Sequence, residues 1–169
     1  MQRPIRIVPD FDARYPAASA HATECAMNLV LTSELLVKRI GALLQPLHHS
    51  SASGLVLSIL ADSESPLPPN EIAERLIVSR ATVTGLLDSL ERQNYIRRLP
   101  HPSDRRMILA EITDAGRQAA QTFRPLVHAC ENEWFSVLDE AEQAQFLAWL
   151  HRLQEQLRDA KETDDTGLS

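Results

Sequence analysis

Between Ser79 and Arg106 this 169-residue chain concentrates its cations. Arg80, Arg92, Arg97, Arg98, Arg105 and Arg106 stand against only Asp88, Glu91 and Asp104, a local charge of +3. The whole chain carries −6, which leaves −9 for the remainder. Guanidinium groups at that density on an acidic body make a local footprint for a polyanion, while the acidic remainder disfavours nonspecific contact. Ser79, Thr82 and Thr84 are interleaved with them. Short hydroxyl side chains let a helix backbone sit deep in a major groove and still reach base edges and phosphates. The candidate DNA contacts are therefore Ser79, Arg80, Thr82 and Thr84 on one helix, and Arg98, Arg105 and Arg106 on a hairpin. Arg106 is the one expected to reach a minor groove or its rim. Asp104 is expected to orient the hairpin by pairing with an arginine. Arg97 reads as a solvated strand residue.

The elements that must hold these side chains are legible around them. Pro69 suits a first helical turn, where its missing N–H is no loss. Ile72, Ala73 and Leu76 then share an apolar face. Ser79 is a good N-cap for a second helix with Val83, Leu86, Leu87 and Leu90 inward. Asn94 tolerates the left-handed backbone at that helix's end. Tyr95 to Leu99 and Met107 to Ile112 read as strands joined by the turn His101-Pro102-Ser103-Asp104. Thr113 caps the following helix, with Asp114 in its positive first turn. A polar helix face or a basic hairpin alone is usually solvated surface. The joint order of helix, short turn, helix, strand, basic turn, strand and capped helix is far more restrictive.

In these residues the chain resembles the multiple-antibiotic-resistance regulator (MarR) family of winged-helix repressors. The resemblance is carried by Asp104, Arg105 and Arg106 at the wing, then Ile112-Thr113 and Gly116. Upstream it rests on Ala73, on Ser79, Thr82, Val83 and Thr84, and on Leu90-Glu91. It covers about 45 residues closely. Three positions depart from the family pattern: His101 replaces an acidic residue opening the wing turn, Asn94 a glycine, and Ile72 a leucine. The resemblance implies a ligand-relieved repressor and an interlocked helical dimer. It also implies a crevice for a small aromatic or phenolic effector between the dimer helices and the winged lobe. Some relatives sense oxidants through a cysteine near the first helix, which makes Cys25 a redox candidate.

The expected fold is mainly α with a small β-wing: a winged helix-turn-helix plus N- and C-terminal dimerisation helices. Residues 1–20 read as an extension and 21–160 as a single domain. Within it the winged helix covers about 50–113, and dimerisation helices cover about 20–47 and 114–160. Residues 161–169 read as a flexible tail. The first long helix carries Leu29, Leu36, Ile40, Leu43 and Leu47 beside Val30, Val37 and Leu44, a face wide enough for burial on two sides. A second helix from Ser50 or Ser51 to about Ala61 places Leu55, Ile59 and Leu60 inward. After the wing come Phe123, Val127, Cys130 and Trp134, with Pro125 kinking or interrupting their helix. Asp139 and Glu142 make a capping box ahead of Phe146, Leu150, Leu153 and Leu157. A winged helix needs about 70 residues, so these surplus apolar faces point to a homodimer on a pseudo-palindromic double-stranded operator.

No 18-residue apolar run, signal-peptide core, glycine-rich phosphate loop or nucleophile elbow occurs. The expectation is a cytoplasmic, non-enzymatic protein without membrane contact, cofactor or metal. His48-His49 lacks a metal-ligand spacing, and two distant cysteines make no disulfide framework. A winged-helix module that binds protein and not DNA is the competing reading, and Arg98, Arg105 and Arg106 argue against it.

Overall fold

The helix starts read from the sequence are built by the side chains expected to build them. A computed structural model describes residues 4–104 and 106–165, the side chains of 160–165 excepted. The chain forms two units, Met1–Leu126 and Val127–Ser169, joined within one helix.

In the first unit the N-terminal extension contains a short helix, α1 (Phe11–Arg14), held by an Arg14–Asp10 ion pair and by Phe11 against Tyr15. Upstream of it, the Asn28 side-chain amide accepts from the Ile5 N–H at 3.0 Å and donates to the Ile5 carbonyl at 2.8 Å. The arm is thus fastened to α2 (Ala20–Leu44), which Ser19 caps through the Ala22 N–H. The helix ends three residues before Leu47. Pro46 has no N–H to continue the ladder, so Gln45–Leu47 tightens into a 3₁₀ turn with left-handed His48 after it. Leu44 is buried, Leu36, Ile40 and Leu43 are half-buried, and Leu29, Val30 and Val37 remain exposed. One chain therefore covers only part of the wide apolar face.

Ser50 caps α3 (Ser51–Ala61) by accepting from the Ser53 N–H. Its buried face is Gly54, Val56, Leu57 and Leu60, whereas Leu55, expected inward, is 50% exposed. Ile59 is half-buried. The helix is apolar almost all round, so hydrophobicity alone does not set its rotation. Gly54 does: a Cβ there would lie 2.7 Å from Leu44 Cδ1, so the glycine side is the one pressed against α2.

Next come α4 (Pro69–Leu76) and α5 (Arg80–Arg92), then β1 (Ile96–Pro100) paired antiparallel with β2 (Ile108–Ile112), with Ile96 opposite Ile112 and Arg98 opposite Ala110. A third segment joins the wing's base, since Leu67 and Ala110 exchange main-chain bonds at 3.0 and 2.7 Å. Ile72, Val83, Leu87 and Leu90 close over Val56, Leu57, Ile96 and Phe123 as the core. Leu86 is half-buried.

Helix α6 (Asp114–Phe135) begins under Thr113, whose Oγ1 accepts from the Gly116 N–H. It runs through Pro125 without interruption, and the boundary between units follows one residue later. In the second unit α7 (Glu140–Asp165) opens on the expected capping box: Glu142 N–H to Asp139 at 2.8 Å, and Asp139 N–H to Glu142 at 2.9 Å. It continues to Asp165, beyond the expected tail start at 161, and residues 166–169 lie outside the described residues. The Phe135 and Phe146 rings pack at a tilt, centroids 6.3 Å apart, while Leu147, Trp149, Leu153 and Leu157 are exposed.

Two positions make opposite predictions. A Cβ at Gly116 would lie 2.1 Å from the Tyr95 carbonyl oxygen, which is main chain and cannot step aside. Gly116→Ala should cost at least about 1–3 kcal/mol in urea unfolding. Ile77 is β-branched, 72% exposed, and held at φ 54° between α4 and α5. Ile77→Gly removes that strain with little lost burial and should raise stability by about 1 kcal/mol in the same assay.

Candidate nucleic-acid interface

The first turn of α5 is preorganised by its own hydroxyls. Ser79 Oγ accepts from the Thr82 N–H at 3.1 Å and lies 2.8 Å from Thr82 Oγ1. Thr84 Oγ1 donates to the Arg80 carbonyl at 2.9 Å. These bonds fix rotamers while lone pairs on the hydroxyl oxygens stay available. Ser79, Arg80, Thr82 and Thr84 are all exposed, and the N-terminal N–H groups add positive potential where anions are favoured. Asn94 takes the left-handed conformation expected of it, at φ 59°.

The wing turn is organised by His101. Its Nδ1 accepts from the N–H groups of Ser103 and Asp104, each at 3.2 Å. The imidazole supplies the acceptors a carboxylate would supply, without a negative charge at the tip. The described bond of the Asp104 side chain is to main chain, where pairing with an arginine side chain was expected. Its Oδ1 accepts from the Arg106 main-chain N–H at 2.9 Å, because a short side chain in a turn reaches its own backbone before a guanidinium. Arg106 itself is exposed. Arg105 lies outside the described residues.

Two wing arginines already have carboxylate partners. Arg97 pairs across the hairpin with Glu111, which raises its pKa further above the ordinary arginine value through a hydrogen bond and direct charge attraction. Arg98 pairs with Asp88 at 2.6 Å and with Glu91 at 3.2 Å, both on α5. The structure thus brings the α5 residues and the wing into one assembly, with Arg98 facing protein carboxylates. Reasoning from sequence separation had no signal for this contact.

A second site was also missed. His49, between α2 and α3, is only 6% exposed, and its Nδ1 has no hydrogen-bond partner among the described residues. Its ring lies 5.1 Å from Tyr95 and 5.8 Å from Phe123. Burial, and then the neighbouring His48, lower its pKa below the usual 6.5. Beside it lies an open groove of about 600 Å³ lined by Gly41, Ala42, Gln45, His48, Ser50 and Ser51. Cys25 is exposed on α2, and both cysteines are free thiols. Among the described residues no group of three or more His, Cys, Asp or Glu is placed to hold a metal, and no helix is long and apolar enough to cross a membrane.

The MarR family model matches residues 50–108. The transcriptional repressor YetL of Bacillus subtilis is 36% identical over 85 residues, 46% of this chain and 51% of that protein. The chain thus spans about half of YetL's length. An uncharacterised regulator of the same organism, YwaE, is 28% identical over 80% of both chains. Among solved structures, the Streptomyces coelicolor MarR family regulator AbsC superposes with a TM-score of 0.75 at 22% identity, covering 92% of this chain and 99% of that one. MepR of S. aureus, solved as a DNA complex, gives 0.73 at 24% identity, covering 78% and 96%. CouR of Rhodococcus jostii, solved with p-coumaroyl-CoA, gives 0.72 at 20% identity, covering 80% and 95%. These structures share this chain's fold.

His49 makes a pH prediction whose sign is fixed. Its folded-state pKa is depressed, so between that value and 6.5 the unfolded chain binds more protons than the folded one. The stability contributed by neutral His49 is fully present above pH 6.5 and declines as pH falls through and below it. Urea midpoints measured between pH 7.5 and 5 should fall more steeply for the wild type than for His49→Leu.

Proposed function

We propose, from the premise that residues 50–108 are a MarR family domain, that the chain is a DNA-binding transcriptional repressor acting as a homodimer. The observation that carries this is the exposed, self-capped first turn of α5 held beside a basic wing. On this reading Ser79, Arg80, Thr82 and Thr84 face base edges and phosphates, Arg106 reaches the minor groove or its rim, and Arg105 contacts phosphate. The similarity to the transcriptional repressor YetL and to MepR, solved as a DNA complex, supports the reading.

The exposed apolar residues support the homodimer. Met27, Val30 and Val37 on α2, and Leu147, Trp149, Leu153 and Leu157 on α7, leave in water what a second copy would cover. A two-fold dimer places its α5 helices on half-sites about one helical turn apart, which requires a pseudo-palindromic operator. The groove beside His49 is where a small aromatic or phenolic effector would act, and the p-coumaroyl-CoA complex of CouR supports that class. Cys25 is the thiol an oxidant would reach first, being more exposed than Cys130. A repressor of this kind works in the cytoplasm, without a membrane or metal, and performs no catalysis.

The test is selection of duplexes from a random-sequence pool, followed by affinity against salt and sedimentation of the free protein. A palindromic consensus, a dimer, and a loss of about 1–3 kcal/mol in Arg106→Ala are expected. A folded protein that selects no duplex at low salt would instead be a protein-interaction module.

A further inference from the structure

We infer that Arg98 is a latch that positions the wing on the recognition helix and is not a phosphate contact; this rests on the DNA-binding reading above. Arg98 lies on β1 opposite Ala110, on the same side of the strand as buried Ile96. From there one guanidinium spans Asp88 and Glu91, carboxylates one turn apart on α5, at 2.6 and 3.2 Å. An isolated exposed ion pair is worth little. Here a single side chain, 28% exposed, gathers two partners and ties β1 to α5.

The charge argument points the same way. Asp88 follows Arg80 and Thr84 at intervals of four residues, so it extends their stripe along α5. An unpaired carboxylate there would repel phosphate. Arg98 neutralises it from the protein side, leaving attraction to Arg80 and Arg106.

The latch predicts an effect of counterintuitive sign. Asp88→Asn combined with Glu91→Gln raises the net charge by two per chain, which on electrostatics alone should tighten DNA binding. Releasing the latch should instead weaken binding to the selected duplex about five- to tenfold, the coupling expected within one ion-pair network. Arg98→Ala should cause a similar loss, and the triple variant should bind no worse than either parent. In the free protein, amide exchange at Arg97–Leu99 and Leu109–Glu111 should speed up in all three, with circular dichroism unchanged. Tighter or unchanged binding by the carboxylate variant, additive losses, or unaltered wing exchange would overturn the latch. If the wild type selects no duplex, the DNA reading falls, and wing exchange alone decides whether the ion pairs hold the wing.

Discussion

The relation between recognition helix and wing depends on one main-chain junction. Chain leaving α5 turns at left-handed Asn94, and the Tyr95 N–H bonds back to Leu90. Thr113, leaving β2, donates its N–H to the Tyr95 carbonyl and its Oγ1–H to the Asn94 carbonyl. The same Oγ1 accepts from the Gly116 N–H, and α6 presses so close to the Tyr95 carbonyl that only glycine fits. The end of one helix, both strand roots and the start of another helix are thereby fixed to a few atoms. An unpaired carbonyl in this half-buried place would cost as much as a hydrogen bond gains, so the motif is closed by satisfaction as well as by packing.

From that junction outward the charges are arranged in two tiers. The inner tier is neutralised within the protein, Arg97 by Glu111 and Arg98 by Asp88 and Glu91. The outer tier, Arg80 at the start of α5 and Arg106 past the wing turn, projects into solvent. A surplus of +3 over this segment therefore overstates how similarly its six arginines behave. Counting cations along a sequence gives the sign of a partner. Which cations meet that partner depends on which carboxylates the fold brings beside them, and a net charge of −9 elsewhere is no obstacle once the interface is local.

What was legible in the sequence was local chemistry. Ser79, Thr113 and the Asp139–Glu142 box cap helices because their short side chains reach N–H groups two or three residues on, a contact that needs no knowledge of the fold. Asn94 and Pro69 are likewise set by backbone geometry. What was illegible was long-range or symmetric. The rotation of α3 escaped because a helix apolar almost all round has no strongly polar face to orient it, and Leu55 was placed inward wrongly. The Leu67–Ala110 bridge joins residues 43 positions apart, and the segment around Leu67, unlike that around Ala110, has no alternation to announce a strand. The carboxylate partners of Arg98 were invisible in the sequence because they lie ten and seven residues back on another element.

His49 shows what such long-range closure does to a residue that looks unremarkable in sequence. It is placed at the end of α2's turn, yet its neighbours are Tyr95 from the wing's root and Phe123 from α6. Three segments meet on a ring whose Nδ1 has no hydrogen-bond partner among the described residues. A buried polar atom without a partner is a standing cost, and any state that supplies one is favoured by relief of that cost. Protonation acts against that packing, because burial disfavours the charged ring. Because Tyr95 belongs also to the junction that seats the wing, His49 packs directly against a residue whose main chain closes that junction.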